Sequence, residues 1–175
     1  AHAEMPPERL ELELTESIFL GDRAATEDMF NALKLLGVRL ALDDFGTGYS
    51  SLAYLQHAPF DKIKIDKSFI QGVTQPENRN SAIIAAIVSL ATALKMDTTA
   101  EGIEAHDELT AMRKLGVGQI QGYIYAPAIG NDDVIEAMLS GDWVIEPNGP
   151  SKYRQERRTV LRKVGLIHED HRYEA

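Results

Sequence analysis

Two adjacent carboxylates, Asp43 and Asp44, end an apolar segment and lead directly into the glycine-rich stretch Phe45-Gly46-Thr47-Gly48. A strand buried on both faces is built from apolar residues, and neighbouring acids repel each other unless a cation lies between them. Glycines permit a sharp turn or the close approach of a ligand. The pair is therefore a candidate cation site, with a solvated turn at a strand end as the alternative that these residues alone leave open.

Other polar side chains stand at or near the ends of further apolar segments. They are Glu13 and Glu16, Lys64 and Asp66, Glu101 and Glu104, and Gln121. A parallel β/α barrel builds its site at the carboxyl ends of all its strands, whereas a doubly wound sheet concentrates ligand contacts at one switch point. The distribution of these residues therefore favours a barrel.

The elements that must position these side chains alternate regularly between strands and helices. Hydrophobic periodicity predicts strands over 10–15, 38–44, 62–66, 98–102 and 119–123. Helices are predicted over 24–36, 50–56, 77–95 and 105–115, with a last one that is capped at Asn131 and ends before Gly141. Such alternation specifies an α/β fold with a parallel sheet, here a (β/α)8-type, TIM-like barrel.

Composition narrows the classes of function. The chain has 175 residues, a formal net charge of −9 and no cysteine. Thiolate metal sites and disulfides are excluded, and the negative charge argues against binding to DNA or to an anionic membrane surface. The longest apolar run, 81–94, is too short to span a bilayer. We expect a cytoplasmic chain, which a longer parent protein could tether to a membrane elsewhere.

Four carboxylates suggest metal-dependent chemistry. Glu13, Asp43, Asp44 and Glu101 supply hard oxygen ligands, which favour Mg²⁺ or Mn²⁺ over zinc. Two carboxylates at one strand end suit a two-metal site, where a deprotonated water attacks phosphorus. Lys64 is expected in the barrel interior, where it orients that water or stabilises phosphate oxygens. A charge-balancing core lysine is the alternative.

Taken together, these segments resemble the EAL family of bacterial cyclic di-GMP phosphodiesterases. The motifs that carry the resemblance occur in the family's order and spacing, between residues 6 and 140. They are Glu13-Leu14-Thr15-Glu16-Ser17, Asp43 to Leu52, Lys62 to Phe69, Ala100 to Glu104, and Gln121-Gly122-Tyr123. The resemblance implies a modified barrel, of which this chain holds only the later strands and helices, and Mg²⁺- or Mn²⁺-dependent hydrolysis of cyclic di-GMP to linear pGpG.

The resemblance also implies a role for each site residue. Glu13 and Asp43 bind the first metal, and Asp43 and Asp44 connect to the second. Lys64 contacts the nucleophilic water, while Glu101 assists at the metal and is the candidate base. Glu16 anchors the loop from Phe45 to Ser51, through which a homodimer is expected. The residues expected on the substrate side are Phe45, Gly46, Thr47, Glu104 and Gln121.

The resemblance divides the chain into three parts. Residues 1–146 are assigned to the C-terminal part of an EAL domain, 147–157 to a linker, and 158–175 to a tail. Arg158 and Arg162 fit the Arg-x-x-x-Arg signature that begins PilZ domains, and a solvated tail is the alternative. Within the domain, Glu108 stands where a glutamine is common in the family.

The family's first-strand metal glutamate and its asparagine ligand are not found in this chain. We therefore expect the chain alone to hydrolyse cyclic di-GMP poorly or not at all. A non-hydrolysing cyclic di-GMP receptor or interaction module is the alternative function. An enolase-type barrel is disfavoured, because its lysines usually precede the metal-binding acids, whereas two acid-bearing strands here precede Lys62 and Lys64.

Overall fold

A five-stranded parallel sheet forms the centre of the fold, in the spatial order β1-β2-β3-β4-β5. It is seen in a computed structural model that describes residues 5–48, 55–75, 77–140 and 146–150. The strands are β1 (Glu11–Thr15), β2 (Arg39–Phe45), β3 (Lys62–Ile65), β4 (Asp97–Ala100) and β5 (Gln119–Ile120). Each strand pairs in parallel with the next along the chain. The predicted α/β fold with a parallel sheet is confirmed.

Helices connect the strands, with bounds close to the predicted ones. They are α1 (Arg23–Leu36), the short α2 (Lys67–Ile70), α3 (Asn80–Ala93), α4 (His106–Leu115) and α5 (Asn131–Ser140). Helix α1 begins after Asp22, whose carboxylate accepts a hydrogen bond from the Ala24 N–H at 2.9 Å, and it ends at Gly37 with φ 85°. The predicted helix over 50–56 lies almost wholly outside the described residues.

The two faces of the sheet differ in polarity, as the alternation in β3 predicts. Ile63 and Ile65 are fully buried in the apolar core. Lys62 and Lys64 face the other way and line a cavity of about 550 Å³. The charged face of the sheet is therefore available for chemistry, while the apolar face packs against the helices.

Strand β2 contains a β-bulge at the acidic pair. Leu42 is aligned with Ile63 and Phe45 with Ile65, so the two residues Asp43 and Asp44 stand opposite the single residue between those isoleucines. Asp44 adopts the left-handed conformation, with φ 52°. Bulges of this kind redirect side chains next to functional sites.

The structure differs from the predicted linker at its beginning. The Asn148 N–H donates to the Ile124 carbonyl at 2.7 Å, and the His106 N–H donates to the Pro150 carbonyl at 3.0 Å. Gly149 lies against the Glu104 backbone so closely that a Cβ would not fit. Residues 147–150 thus pack on the domain, and Gly149 permits the close approach because it has no Cβ.

Along the described part of the chain, no helix is both long and apolar enough to cross a bilayer.

Candidate active site

The Lys64 ammonium lies at the centre of the site and contacts carboxylates from three other strands or their ends. Its Nζ is 2.6 Å from Glu13 Oε2, 2.7 Å from Glu101 Oε1 and 3.1 Å from Asp43 Oδ1. Only 6% of the lysine side chain is exposed. The parallel sheet produces this convergence, since β1, β2, β3 and β4 are neighbours and present their carboxyl ends at one edge.

The charges in this cluster do not balance. Burial alone lowers the pKa of Lys64, but hydrogen bonds to Glu101 and Glu13 and the contact with Asp43 raise it well above its ordinary value. The lysine is therefore fully protonated at neutral pH. Three carboxylates surround this one positive charge, so the cluster has an excess of negative charge that favours an additional cation.

The donor set fits a hard divalent cation in its chemistry. Asp43 Oδ1 is buried, and within the described residues no hydrogen-bond donor is well aligned on it, the ammonium at 3.1 Å being its charge partner. Carboxylate oxygens are the ligands preferred by Mg²⁺ and Mn²⁺. In this structure the carboxylates close on Lys64, and the described residues include no group of three or more acids or histidines already arranged around an ion position.

Asp44 lies on the other side of the bulge from this cluster. It lines a separate cavity of about 270 Å³ together with Glu16, Thr47 and Gly48. The Asp44 carbonyl accepts hydrogen bonds from the Thr47 N–H at 3.2 Å and from the Thr47 hydroxyl at 2.8 Å. The structure thus brings Asp43 to Lys64 and places Asp44 at the turn that begins the glycine-rich loop.

Glu16 contacts the backbone of that loop. It is buried, and its Oε1 accepts a hydrogen bond from the Gly46 N–H at 2.9 Å. A Cβ at Gly48 would lie 2.7 Å from Glu16 Oε2, so the loop passes directly over the carboxylate. Residues 49–54 are outside the described part of the chain, and the predicted dimer contact through Phe45 to Ser51 stays a prediction.

Two of the residues predicted to bind substrate have structural contacts in this loop. The Phe45 side chain is 7% exposed and belongs to the apolar core, so it faces away from the charged side of the sheet. Gly46 has φ 91°, and a Cβ there would lie 2.9 Å from Cζ of Phe69. The loop is therefore held between the Glu16 carboxylate and the Phe69 ring.

Glu104 and Gln121 lie beside the Lys64 cluster. Both side chains line a cavity of about 280 Å³ that Glu101 also lines. The Gln121 N–H donates to the Ala100 carbonyl at 2.9 Å, which extends the β4–β5 pairing to the end of the strands. These two residues predicted for the substrate side are thus adjacent to the candidate base.

Glu108, which stands where a glutamine is common in the family, positions the site. Glu108 is 8% exposed, and its Oε2 accepts hydrogen bonds from the N–H groups of Glu104 and Ala105, both at 3.1 Å. It holds the end of the loop that carries Glu101 and Glu104. The spacing of a glutamate at the third position of helix α4 is the sequence signal that indicates this role.

A second ion-pair layer lies below Lys64 and was also not predicted. Lys62 Nζ is 2.7 Å from Glu11 Oε1, and the Arg39 guanidinium is 2.7 Å from Asp97 Oδ2. Lys62 and Glu11 stand two residues before Lys64 and Glu13 on the same strands, so side chains two apart share one face. In this layer, the charged side chains next to the Lys64 cluster neutralise one another.

The sequence profile of the EAL domain family matches residues 1–128. Among similar proteins, the cyclic di-GMP phosphodiesterase RocR of Pseudomonas aeruginosa is 38% identical over 123 residues, which are 70% of this chain and 31% of RocR. The cyclic di-GMP phosphodiesterase NbdA of the same organism is 40% identical over 117 residues, or 67% of this chain and 15% of NbdA. The chain thus spans less than one third of either relative.

Solved structures with similar folds include complexes with cyclic di-GMP. The PaMucR phosphodiesterase in complex with cyclic di-GMP has a TM-score of 0.69 and 35% identity, covering 74% of this chain and 52% of that one. The EAL domain of Mycobacterium smegmatis DcpA has a TM-score of 0.72 and 31% identity, covering 78% and 61%. Klebsiella pneumoniae BlrP1 with manganese and cyclic di-GMP has a TM-score of 0.65 and 29% identity, covering 70% and 31%.

The five-stranded parallel sheet matches part of the TIM-like barrel of the EAL structures. The PilZ assignment for residues 158–175 has no support, because the family match ends at residue 128 and residues 151–175 lie outside the described part of the chain.

Proposed function

The chain belongs to the EAL family, and on that premise we propose that it forms part of a phosphodiesterase site that hydrolyses cyclic di-GMP to linear pGpG. The observation that carries the proposal is the contact of Lys64 with Glu13, Asp43 and Glu101, three acids from neighbouring strands. Two relatives and one similar solved structure bear the name of this activity.

We assign the residues as follows for two Mg²⁺ or Mn²⁺ ions. Glu13, Asp43 and Glu101 would hold one ion, and Asp43 and Asp44 would hold the other. When bound, such ions supply a water that loses its proton near neutral pH, and they neutralise charge on the phosphate. Manganese accompanies cyclic di-GMP in the Klebsiella pneumoniae complex, which supports this choice of ion.

The side chains of this chain have the following roles in the reaction. Lys64 has a fixed positive charge and donates hydrogen bonds to the attacking water or to the phosphate oxygens where negative charge develops. Glu101 accepts the proton of the water. The water oxygen forms the new bond to phosphorus, and the bond from phosphorus to the 3′-oxygen breaks. The 3′-oxygen takes up a proton from solvent and leaves as a hydroxyl group, while Glu101 releases the proton it accepted back to solvent. Glu104 and Gln121 hold the substrate beside this centre.

The burial of Lys64 explains why this arrangement is suited to catalysis. Because only 6% of its side chain is exposed, water screens its charge weakly, and its effect on a nearby phosphate is correspondingly large. The β-bulge separates the two aspartates, so that Asp43 contacts Lys64, whereas Asp44 lies at the turn that begins the glycine-rich loop. A fixed array of this kind needs little reorganisation during the reaction.

Hydrolysis of cyclic di-GMP in the presence of Mn²⁺, with and without a chelator, tests the proposal. The assay should use the 175-residue chain and, in parallel, any longer protein that contains it. In whichever form is active, Asp43→Asn and Lys64→Ala should each lower kcat by about 10²- to 10³-fold, the effect of losing one electrostatic contact in a transition state. The matched control is Glu136→Gln on the exposed face of helix α5, which should leave turnover unchanged.

The outcomes separate the two candidate functions. Metal-dependent release of pGpG that these variants abolish would support the enzyme. Tight binding of cyclic di-GMP without turnover in either form would instead favour the receptor function. If neither form binds or hydrolyses the nucleotide, the proposed substrate is wrong.

A further inference from the structure

The cavity beside the Lys64 cluster contains a lysine that the mechanism above does not use. This cavity has a volume of about 280 Å³. The residues that line it and bear on a ligand are Lys67, Glu101, Glu104, Gln121 and Tyr123. Glu101 belongs both to this cavity and to the Lys64 cluster, so a ligand bound at the cluster extends readily into the cavity.

Lys67 differs from the two lysines of strand β3. Lys62 and Lys64 are buried and ion-paired, at 2.7 Å from Glu11 and at 2.6–3.1 Å from three carboxylates. Lys67 is exposed, and the ion pairs found in the described part of the chain do not include it. Its ammonium is therefore available to an anionic ligand.

The stem of Lys67 is held against the loop that carries Glu101. The Glu101 N–H donates to the Ile65 carbonyl at 3.1 Å, which joins the ends of β3 and β4. Gly102 has φ 67°, and a Cβ there would lie 2.7 Å from the Cβ of Lys67. Only glycine leaves room for this close approach, so the backbone directs Lys67 along the cavity wall next to Glu101.

Tyr123 also lines this cavity and is 71% exposed. It lies on a turn that is fixed by backbone hydrogen bonds, from the Ile103 N–H to the Gln121 carbonyl at 3.2 Å and from the Ile124 N–H to the Ile103 carbonyl at 2.9 Å. Tyr123 also lines the larger cavity that contains Lys64. An exposed aromatic ring on a fixed turn between two cavities is a suitable surface for stacking a nucleobase.

We propose that Lys67 binds the phosphate of the substrate that is not cleaved, and that Tyr123 stacks on the guanine of the same half. This inference rests on the proposed function. A cyclic dinucleotide has two phosphates in one ring, so a phosphate at the Lys64 cluster places the second within reach of the adjoining cavity. A lysine ammonium is a common point-charge ligand for phosphate, and Glu104 in the same wall accepts hydrogen bonds from guanine N–H groups.

Equilibrium binding of cyclic di-GMP in the presence of Ca²⁺ tests the role of Lys67. Calcium is the ion that accompanies this nucleotide in a second Klebsiella pneumoniae BlrP1 complex. Lys67→Ala should weaken binding about tenfold, the loss expected for one hydrogen bond to a charged group, and binding should become less sensitive to salt. Lys67→Arg should bind within about twofold of the unsubstituted protein, because it keeps the charge. Lys114→Ala, an exposed lysine near the end of helix α4, is the control of equal charge change and should have no effect.

The stacking role of Tyr123 has its own pair of variants. Tyr123→Ala should weaken binding about tenfold, whereas Tyr123→Phe should retain it, because a phenyl ring stacks equally well. Thermal unfolding of each variant should match that of the unsubstituted protein, since both side chains are exposed.

The results distinguish this inference from the function on which it rests. If the unsubstituted protein binds cyclic di-GMP but Lys67→Ala binds as well as Lys114→Ala, the inference is wrong and the function stands. If Lys67→Arg binds as poorly as Lys67→Ala, the positive charge is not responsible, and the inference is again wrong. If the unsubstituted protein does not bind the nucleotide, both fail.

Discussion

Replacing Lys64 with methionine should destabilise the folded protein to an extent that depends on pH and on divalent cations. Methionine has a similar length and no charge, so the variant keeps most of the packing and removes the ammonium. The three carboxylates now 2.6, 2.7 and 3.1 Å from Nζ would then face one another without compensation. The destabilisation would therefore be mainly electrostatic.

The burial of each carboxylate determines how large this destabilisation should be. Asp43 and Glu101 are each 21% exposed, whereas Glu13 is 47% exposed and can turn towards water. Removing one partner of a buried ion pair costs about 3–5 kcal/mol. Because Glu13 relieves part of the repulsion, we expect a loss of about 2–4 kcal/mol in the free energy of unfolding at neutral pH.

The stability of both proteins should fall as the pH rises, but in different pH ranges. The pKa of Lys64 is raised on folding, so its contribution to stability is complete below the ordinary lysine value of 10.5 and is lost as the pH rises through the higher value of the folded state. In the methionine variant, the uncompensated carboxyl groups take up protons more readily when folded. Its stability should therefore rise as the pH falls towards the carboxyl range, and the difference between the two proteins should shrink.

Urea unfolding followed by circular dichroism, with and without Mn²⁺, measures these effects. Mn²⁺ should stabilise Lys64→Met more than the unsubstituted protein, because the ion replaces the lost positive charge. Lys62→Met is the matched control, since Lys62 lies on the same strand and face but contacts one carboxylate, that of Glu11. Equal stability of Lys64→Met and the unsubstituted protein at neutral pH, or a loss that persists unchanged in acid, would refute the reasoning.

Two further variants test how the loops around the site are held. Gly46→Ala should lower the free energy of unfolding by about 2–4 kcal/mol, because φ is 91° and the new Cβ would lie 2.9 Å from the Phe69 ring. Adding Phe69→Leu should restore the part of this loss that is due to packing, as measured by urea unfolding. No recovery in the double variant would contradict the assigned contact. Glu108→Ala should lower the free energy of unfolding by about 1–2 kcal/mol, because two backbone N–H groups lose their acceptor. Glu108→Gln keeps a carbonyl oxygen and should lower it by less than about 0.5 kcal/mol. Equal losses for the two variants in thermal unfolding would show that the capping contact is unimportant.

Much of the fold is predictable from local sequence patterns. The apolar alternation in Lys62–Ile65 defines which face is buried, and Gly37 and Gly116, with φ of 85° and 81°, end helices where glycine indicates an end. Boundaries that depend on tertiary contacts are less predictable. Strand β5 ends at Ile120 rather than at 123, because the backbone of Gly122 packs directly on that of Ile103.

The candidate site is predictable in its residue types but not in its contacts. Parallel strands bring Glu13, Asp43, Lys64 and Glu101 to one edge, which the order of elements alone indicates. The position of Lys64 between three carboxylates depends on the register of four strands, and nothing local in the sequence determines that register. The docking of residues 147–150 was missed for the same reason, since its hydrogen bonds join segments distant in sequence.

The β-bulge gives a physical reason for two acids in succession at the end of β2. Leu40 and Leu42 point into the apolar core, and a regular strand would direct Asp44 into the same core, because side chains two apart share a face. Burying that carboxylate without a partner would be strongly unfavourable. The extra residue shifts the alternation by one, so that Phe45 takes the core position with 7% exposure while Asp44 turns towards the cavity beside Glu16. The pair Asp43-Asp44 is thus compatible with a buried strand only because the bulge accompanies it, and the same bulge leaves both carboxylates outside the apolar core, on the polar edge of the sheet.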